Sequence, residues 1–208
     1  MKITRVDQFA PRNRTRLVRI STDTGIEGWG ESTLEGKPRS VPAAIDEFAE
    51  YLIGKDPLRI EHHWQQMYRS PFFRGGVHNM SALAGLNAAL WDVAGKHFGV
   101  PSYMLMGGNV RDKIRVYAHW GIRDLTDEAL EEARTRLTML QKSGYTGYKA
   151  GPAGFFRAHE PPARIDEFVK AAYMMREWVG PDVELAFDFH AKMTPGLAVE
   201  VCHEIKGM

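Results

Sequence analysis

An acid and a histidine stand two residues apart in Asp188-Phe189-His190, behind the apolar run from Val183 to Phe187. If Val183–Phe189 is a buried strand, both side chains leave its C-terminal end on one face, because strand side chains repeat with period two. A carboxylate and an imidazole aimed together off a strand end are a candidate catalytic pair for proton transfer. The spacing is weak evidence alone, since Asp-x-His is a common tripeptide. A second candidate region is Gly151–Pro162, which holds Phe155, Phe156, Arg157, His159 and Glu160. It is long for a connection between a strand and a helix, and long connections of that kind are where sites are built. Arg12 and Arg14 share a short loop and can meet an anionic ligand or simply be solvated.

Composition narrows the classes. The 208 residues carry 27 Lys+Arg against 26 Asp+Glu, so neither a nucleic acid nor an anionic membrane surface is the expected partner. Cys202 is the only cysteine, which excludes an internal disulfide and a cysteine-based metal cluster. It is expected to be a small residue packed in a helix. The chain has no apolar run of membrane-spanning length and opens as a strand rather than a signal peptide, so the expected location is the cytoplasm.

Two rhythms position these residues. Residues 2–9, 15–22 and 26–31 read as an antiparallel meander with Asp23-Thr24-Gly25 as turn. Helices follow: one capped by Ser40 with Val41, Ile45, Phe48 and Leu52 inward, one striped by Ile60, Trp64 and Met67 or Tyr68, and one from Met80 to about Lys96 capped by Asn79. Asp92 and Lys96 read as a local i,i+4 pair. Trp29, Trp91 and Phe72-Phe73 read as packing. A short helix from Pro101 to Met106 ends at Gly107-Gly108. Beyond it come strands at 113–118, 145–150 and 183–189, alternating with helices capped by Thr126, spanning 163–179, and starting at 195. Strand–helix alternation is the signature of βαβ units on a parallel sheet. The expected domains are therefore 1–108, α+β, and 109–208, three βα units.

The ordered set Gly28-Trp29-Gly30-Glu31, Tyr68-Arg69, Phe73-Arg74-Gly75-Gly76, Met80-Ser81-Ala82-Leu83, Ala89-Leu90-Trp91-Asp92, Gly95-Lys96, Leu105-Met106-Gly107-Gly108, Arg111-Asp112, Tyr148-Lys149 and Asp188-Phe189-His190 resembles the enolase superfamily. Within it the chain is most similar to the acid-sugar dehydratases of galactonate type. The resemblance implies an α+β capping domain followed by an incomplete (β/α) TIM-type barrel, three of eight βα units, with its site at the C-terminal ends of the strands. It implies Mg²⁺ as cofactor, a small sugar acid as substrate, and a homo-oligomer in the complete enzyme. The reaction it implies is removal of the proton beside the carboxylate and loss of the β-hydroxyl, giving a 2-keto-3-deoxy acid.

Carried onto this sequence, the resemblance makes Asp188 the first metal carboxylate and His190 the general acid for the leaving hydroxyl. Lys149 falls at a basic position beside the substrate carboxylate. Racemase-type members carry a second lysine two residues on, where this chain has Gly151, which disfavours a two-base racemase. Arg14 and Thr15 fall in one specificity loop and Glu35 near the other. His119, at the end of the first barrel strand, and His159, in the long loop, are further candidate substrate contacts. Two metal carboxylates and the base of the family have no counterpart here. The expected readings are thus an N-terminal part of a Mg²⁺-dependent dehydratase, inactive and prone to associate by itself, or a non-catalytic product that pairs its open edge with another chain. Racemisation or cycloisomerisation on the same scaffold is a third.

Overall fold

The computed structural model describes residues 1–12, 15–151 and 162–208. They divide into two compact units, Met1–Asp112 and Lys113–Met208.

In the first unit, β1 (Ile3–Arg12), β2 (Thr15–Thr22) and β3 (Glu27–Glu31) form an antiparallel sheet in that order. Alternation decides its faces: Val18 and Ile20 are fully buried, while Arg19 between them lies against Phe9 and Trp29 and pairs with Asp7 and Glu27. The helices are α1 (Ser40–Leu52), which meets β1, α2 (Ile60–Arg69), which packs on the third helix, and α3 (Gly76–Phe98), which covers β2 and β3. Contact between α3 and β3 is at backbone level. A Cβ on Gly28 would overlap the Ala89 carbonyl oxygen, and one on Gly30 the Gly85 carbonyl oxygen. Across this contact Asp92 Oδ2 accepts from the Trp29 N–H at 2.8 Å, and Lys96 Nζ donates to the Glu27 carbonyl at 2.7 Å. Asp92 and Lys96 do pair with each other, but together they also clasp helix to sheet.

Several local expectations are corrected here. Ser40 is already helical; its hydroxyl turns back to the Lys37 carbonyl, and the capping position, Arg39, makes no side-chain cap. Asn79 lies inside α3, which begins three residues earlier at Gly76. Phe72 and Phe73 are not core residues: they are 91% and 80% exposed, in edge-to-face contact with each other. A short helix, α4 (Ser102–Leu105), closes the unit.

In the second unit, β4 (Ala118–His119), β5 (Gly147–Ala150) and β6 (Glu184–Phe187) form a parallel sheet in the order β4-β5-β6. The helices are α5 (Asp127–Lys142), α6 (Pro162–Val179) and α7 (Pro195–Ile205). Thr126 caps α5 and Thr194 caps α7, each hydroxyl accepting a first-turn N–H. Ile165, Phe168, Ala172, Met175 and Val179 are buried along α6, as their helical spacing requires. Trp120 lies among them with its Nε1–H donating to the Ala133 carbonyl at 2.8 Å.

The first strand is shorter than its sequence pattern. Residues 113–117 make no ladder, because β5 pairs β4 only at Ala118↔Tyr148 and His119↔Lys149. Ile114, Val116 and Tyr117 are exposed there. β6 is likewise four residues long, with Glu184 and Ala186 exposed rather than buried. Cys202 sits in α7 as expected but is exposed, not packed. No helix among the described residues is long and apolar enough to cross a membrane.

Candidate active site

The parallel sheet sorts its residues by face. Ala118, Tyr148 and Ala150 are buried under the helices, with Leu185 and Phe187 packed against the same cluster. The alternate residues face the other way: His119 on β4, Lys149 and Gly151 on and after β5, Ala186 and Asp188 on and after β6. The Asp188 N–H donates to the Ala150 carbonyl at 2.9 Å, so the ladder continues one residue past β6 and sets Asp188 beside Gly151. The chemistry-bearing side chains therefore gather at the C-terminal ends of three adjacent strands.

Asp188 is their centre. Its Oδ2 accepts from Lys149 Nζ at 2.9 Å. Its Oδ1 accepts from the His190 backbone N–H at 3.0 Å and lies 2.8 Å from His190 Nδ1. The Lys149 hydrogen bond, followed by the two from His190, holds the Asp188 carboxyl far below the usual carboxylate range. The same contact raises Lys149 above its ordinary value. Asp188 and His190 do come together, but not by strand alternation. The strand ends at Phe187, and His190 and Ala191 adopt positive φ values of 52° and 53°. The imidazole folds back onto the carboxylate through this turn. Two consecutive non-glycine residues in the left-handed region are costly, about 1–2 kcal/mol each, so the turn is held against local preference.

His119 lies in the same face, exposed, with its backbone carbonyl accepting from Arg136 Nη2 at 3.1 Å. Thr15 and Glu35 belong to the first unit; Thr15 lines a small cleft with Arg16, Lys37 and Pro38. Arg14 and His159 lie outside the described residues. Arg136 was not a candidate from sequence, and its only signal there was a place in a helix facing the strand end.

Asp188 presents the oxygen donor that a hard cation takes. Among the described residues no three His, Cys, Asp or Glu side chains gather as a metal cage. The donor set here thus fits one ligand of a divalent site, not the whole of it.

Similar proteins point to a class. Residues 9–107 match the N-terminal domain of the mandelate racemase / muconate lactonizing enzyme family. The matched residues lie within the first unit. Within the class, the chain is 38% identical over 206 residues to D-galactonate dehydratase of Cronobacter sakazakii, covering 99% of this chain and 53% of the relative. A crystal structure from Mesorhizobium loti assigned as a dehydratase superposes with a TM-score of 0.89 at 30% identity, over 100% of this chain and 58% of that one. An enolase from Agrobacterium radiobacter assigned as a galactarate dehydratase, with sodium and L-malate bound, gives 0.83 at 30% identity, over 99% and 52%. The chain spans about half the length of the curated relatives it matches.

Proposed function

We propose that this chain carries the capping domain and the first three βα units of a (β/α) barrel whose reaction is dehydration of a sugar acid of galactonate type to a 2-keto-3-deoxy acid. The observation that carries the reading is the Lys149–Asp188–His190 cluster at the ends of two adjacent strands, β5 and β6. The likeness to D-galactonate dehydratases supports it.

Each residue has a task. Asp188, ionised over the whole working pH range, would hold Mg²⁺ as one of several oxygen ligands. When bound, that cation supplies Lewis-acid charge stabilisation beside the substrate carboxylate. Lys149, in contact with Asp188, would orient the substrate carboxylate. His190 turns Nδ1 to Asp188, a carboxylate that only accepts, so Nδ1 carries its hydrogen there. In the imidazolium form Nε2 carries the second hydrogen and is the atom left to deliver it to the departing β-hydroxyl, which leaves as water while the ring becomes neutral. The left-handed turn at His190 and Ala191 fixes the ring for that delivery. Acceptance of the proton next to the carboxylate falls to a base outside the groups gathered here.

Gly151 weighs against racemisation, because that reaction uses a second base and this position offers no side chain. The test is a chimera: this chain joined to the C-terminal half of the Cronobacter sakazakii D-galactonate dehydratase, assayed for 2-keto-3-deoxy acid from D-galactonate with Mg²⁺. Product that disappears in Asp188→Asn supports the reading. A folded chimera that leaves D-galactonate and other sugar acids untouched refutes it. Turnover by the 208-residue chain alone would show that no further carboxylates are needed.

A further inference from the structure

We propose that the cleft beside the start of α2, in the first unit, binds a small phosphate-bearing molecule, and that the buried His63 ties its occupancy to pH. The inference is independent of the sugar-acid reading and concerns residues that reading does not use.

Lys2, Lys55, Arg59 and His62 line a cleft of about 510 Å³. Backbone pairing brings the two lysines together. The Ile3 N–H donates to the Lys55 carbonyl at 2.9 Å, and the Gly54 N–H donates to the Ile3 carbonyl at 2.8 Å. Among the described residues Lys2, Lys55 and Arg59 form no ion pair. The carboxylate lining the cleft, Asp56, turns its Oδ1 to the Leu58 N–H at 3.1 Å. Two lysines and an arginine against one aspartate leave an excess of about two positive charges at neutral pH. A phosphate group carries about −1.5 to −2 there and answers that excess, whereas a single carboxylate answers half of it. Arg59 adds the planar fork that matches phosphate oxygens. The cleft also has room for more than the phosphate group, since small-molecule pockets run from about 300 to 1,000 Å³.

His63 stands in the wall of this cleft, buried, with both ring nitrogens engaged. Nε2 donates to the Asp56 carbonyl and Nδ1 accepts from the Tyr51 hydroxyl of α1. The charged and titratable groups around the ring are Tyr51 from α1, Lys55, Asp56 and Arg59 from the connecting segment, His62 from α2, and Lys2 beside β1. Burial is the main cause of the lowered His63 pKa; the charges of His62 and Arg59 add to it, against the hydrogen bond and charge of Asp56. The positive field of the cleft therefore reaches the buried ring. An anion seated among these cations cancels part of that field and eases protonation of His63. By reciprocity, protonation of His63 strengthens anion binding by the same factor.

The experiment is an NMR titration of the 208-residue chain, labelled in its histidine rings. The probes are inorganic phosphate and, separately, sulfate, which stays dianionic between pH 8 and pH 5; chloride holds the ionic strength constant. His62 and His63 should shift along one saturation curve while His97 stays still. Lys55→Gln combined with Arg59→Gln should weaken both anions about tenfold or more, the size of one lost charged hydrogen bond. Both side chains are exposed, so this variant should keep the fold. Lys142→Gln with Lys170→Gln, an equal loss of charge in the second unit, should leave affinity unchanged. Saturating sulfate should raise the His63 pKa, and in His62→Gln sulfate should still bind more tightly at pH 5 than at pH 8. Shifts that never saturate, that chloride reproduces, or that survive the Lys55 and Arg59 substitutions refute the site. Saturable binding that leaves the His63 titration unmoved refutes its link to pH. D-galactonate displacing phosphate at equal concentration refutes the class of ligand.

Discussion

Lys149 Nζ lies 2.9 Å from Asp188 Oδ2, the two side chains reaching each other from adjacent parallel strands. This contact is the largest cause of the depressed Asp188 titration. Lys149→Met should therefore move the Asp188 carboxyl back up toward the ordinary value near 3.8. A ¹³C-detected carboxyl titration reads this directly. The pH sense follows: Asp188 contributes stability above its unfolded-state range, and that contribution is lost as pH falls through its lowered folded value. In the Lys149→Met variant that contribution should be smaller and its loss complete at higher pH.

His63 supplies an independent pH test in the first unit. It is buried, with Nδ1 2.9 Å from the Tyr51 hydroxyl and Nε2 2.8 Å from the Asp56 carbonyl. The carbonyl only accepts, so Nε2 carries the hydrogen and the Tyr51 hydroxyl donates to Nδ1. Burial is the main cause of its lowered pKa. The unfolded chain then binds more protons, and the unit should lose stability as pH drops below about 6.5. Urea unfolding between pH 8 and pH 5 should show this decline, and His63→Leu should abolish the slope while costing about 2 kcal/mol from two orphaned polar groups.

Gly28 and Gly30 should not accept alanine. Either Cβ would meet a carbonyl oxygen of α3 rather than a movable side chain. Helix and sheet would have to part, and each variant should lose about 3 kcal/mol or more in denaturant unfolding. Gly25, whose added Cβ would meet nothing within 4 Å, is strained only by its positive φ of 81°, and alanine there should cost less.

Ala191→Gly should stabilise the second unit by up to about 1 kcal/mol, because alanine is held at a φ of 53°. The same change should loosen His190. Its expected signature is a small rise in thermal midpoint together with a weaker His190–Asp188 hydrogen bond by NMR.

Much of this layout is visible in the sequence, and the misses have physical causes. The helical stripes of α1, α5 and α6 and the Thr126 cap are local features, and local chemistry decides them. The start of α3 is hidden because its first turn exposes Val77 and begins on the second of two glycines that read as a break. Residues 113–117 have a strand's alternation but no backbone partner, and pairing is not a local property. Asp188 and His190 are recognisable as a pair, yet the contact depends on a left-handed turn that nothing in Phe189-His190-Ala191 announces.

The central claim is that His190 delivers the proton to the leaving hydroxyl and plays no part in taking the first one. In the chimera with the Cronobacter sakazakii C-terminal half, His190→Asn should be followed with D-galactonate in D₂O. The account predicts that deuterium still enters beside the carboxylate while 2-keto-3-deoxy acid formation falls by about 10²–10⁴-fold. Loss of both exchange and elimination, or an undiminished rate of product formation, would contradict it.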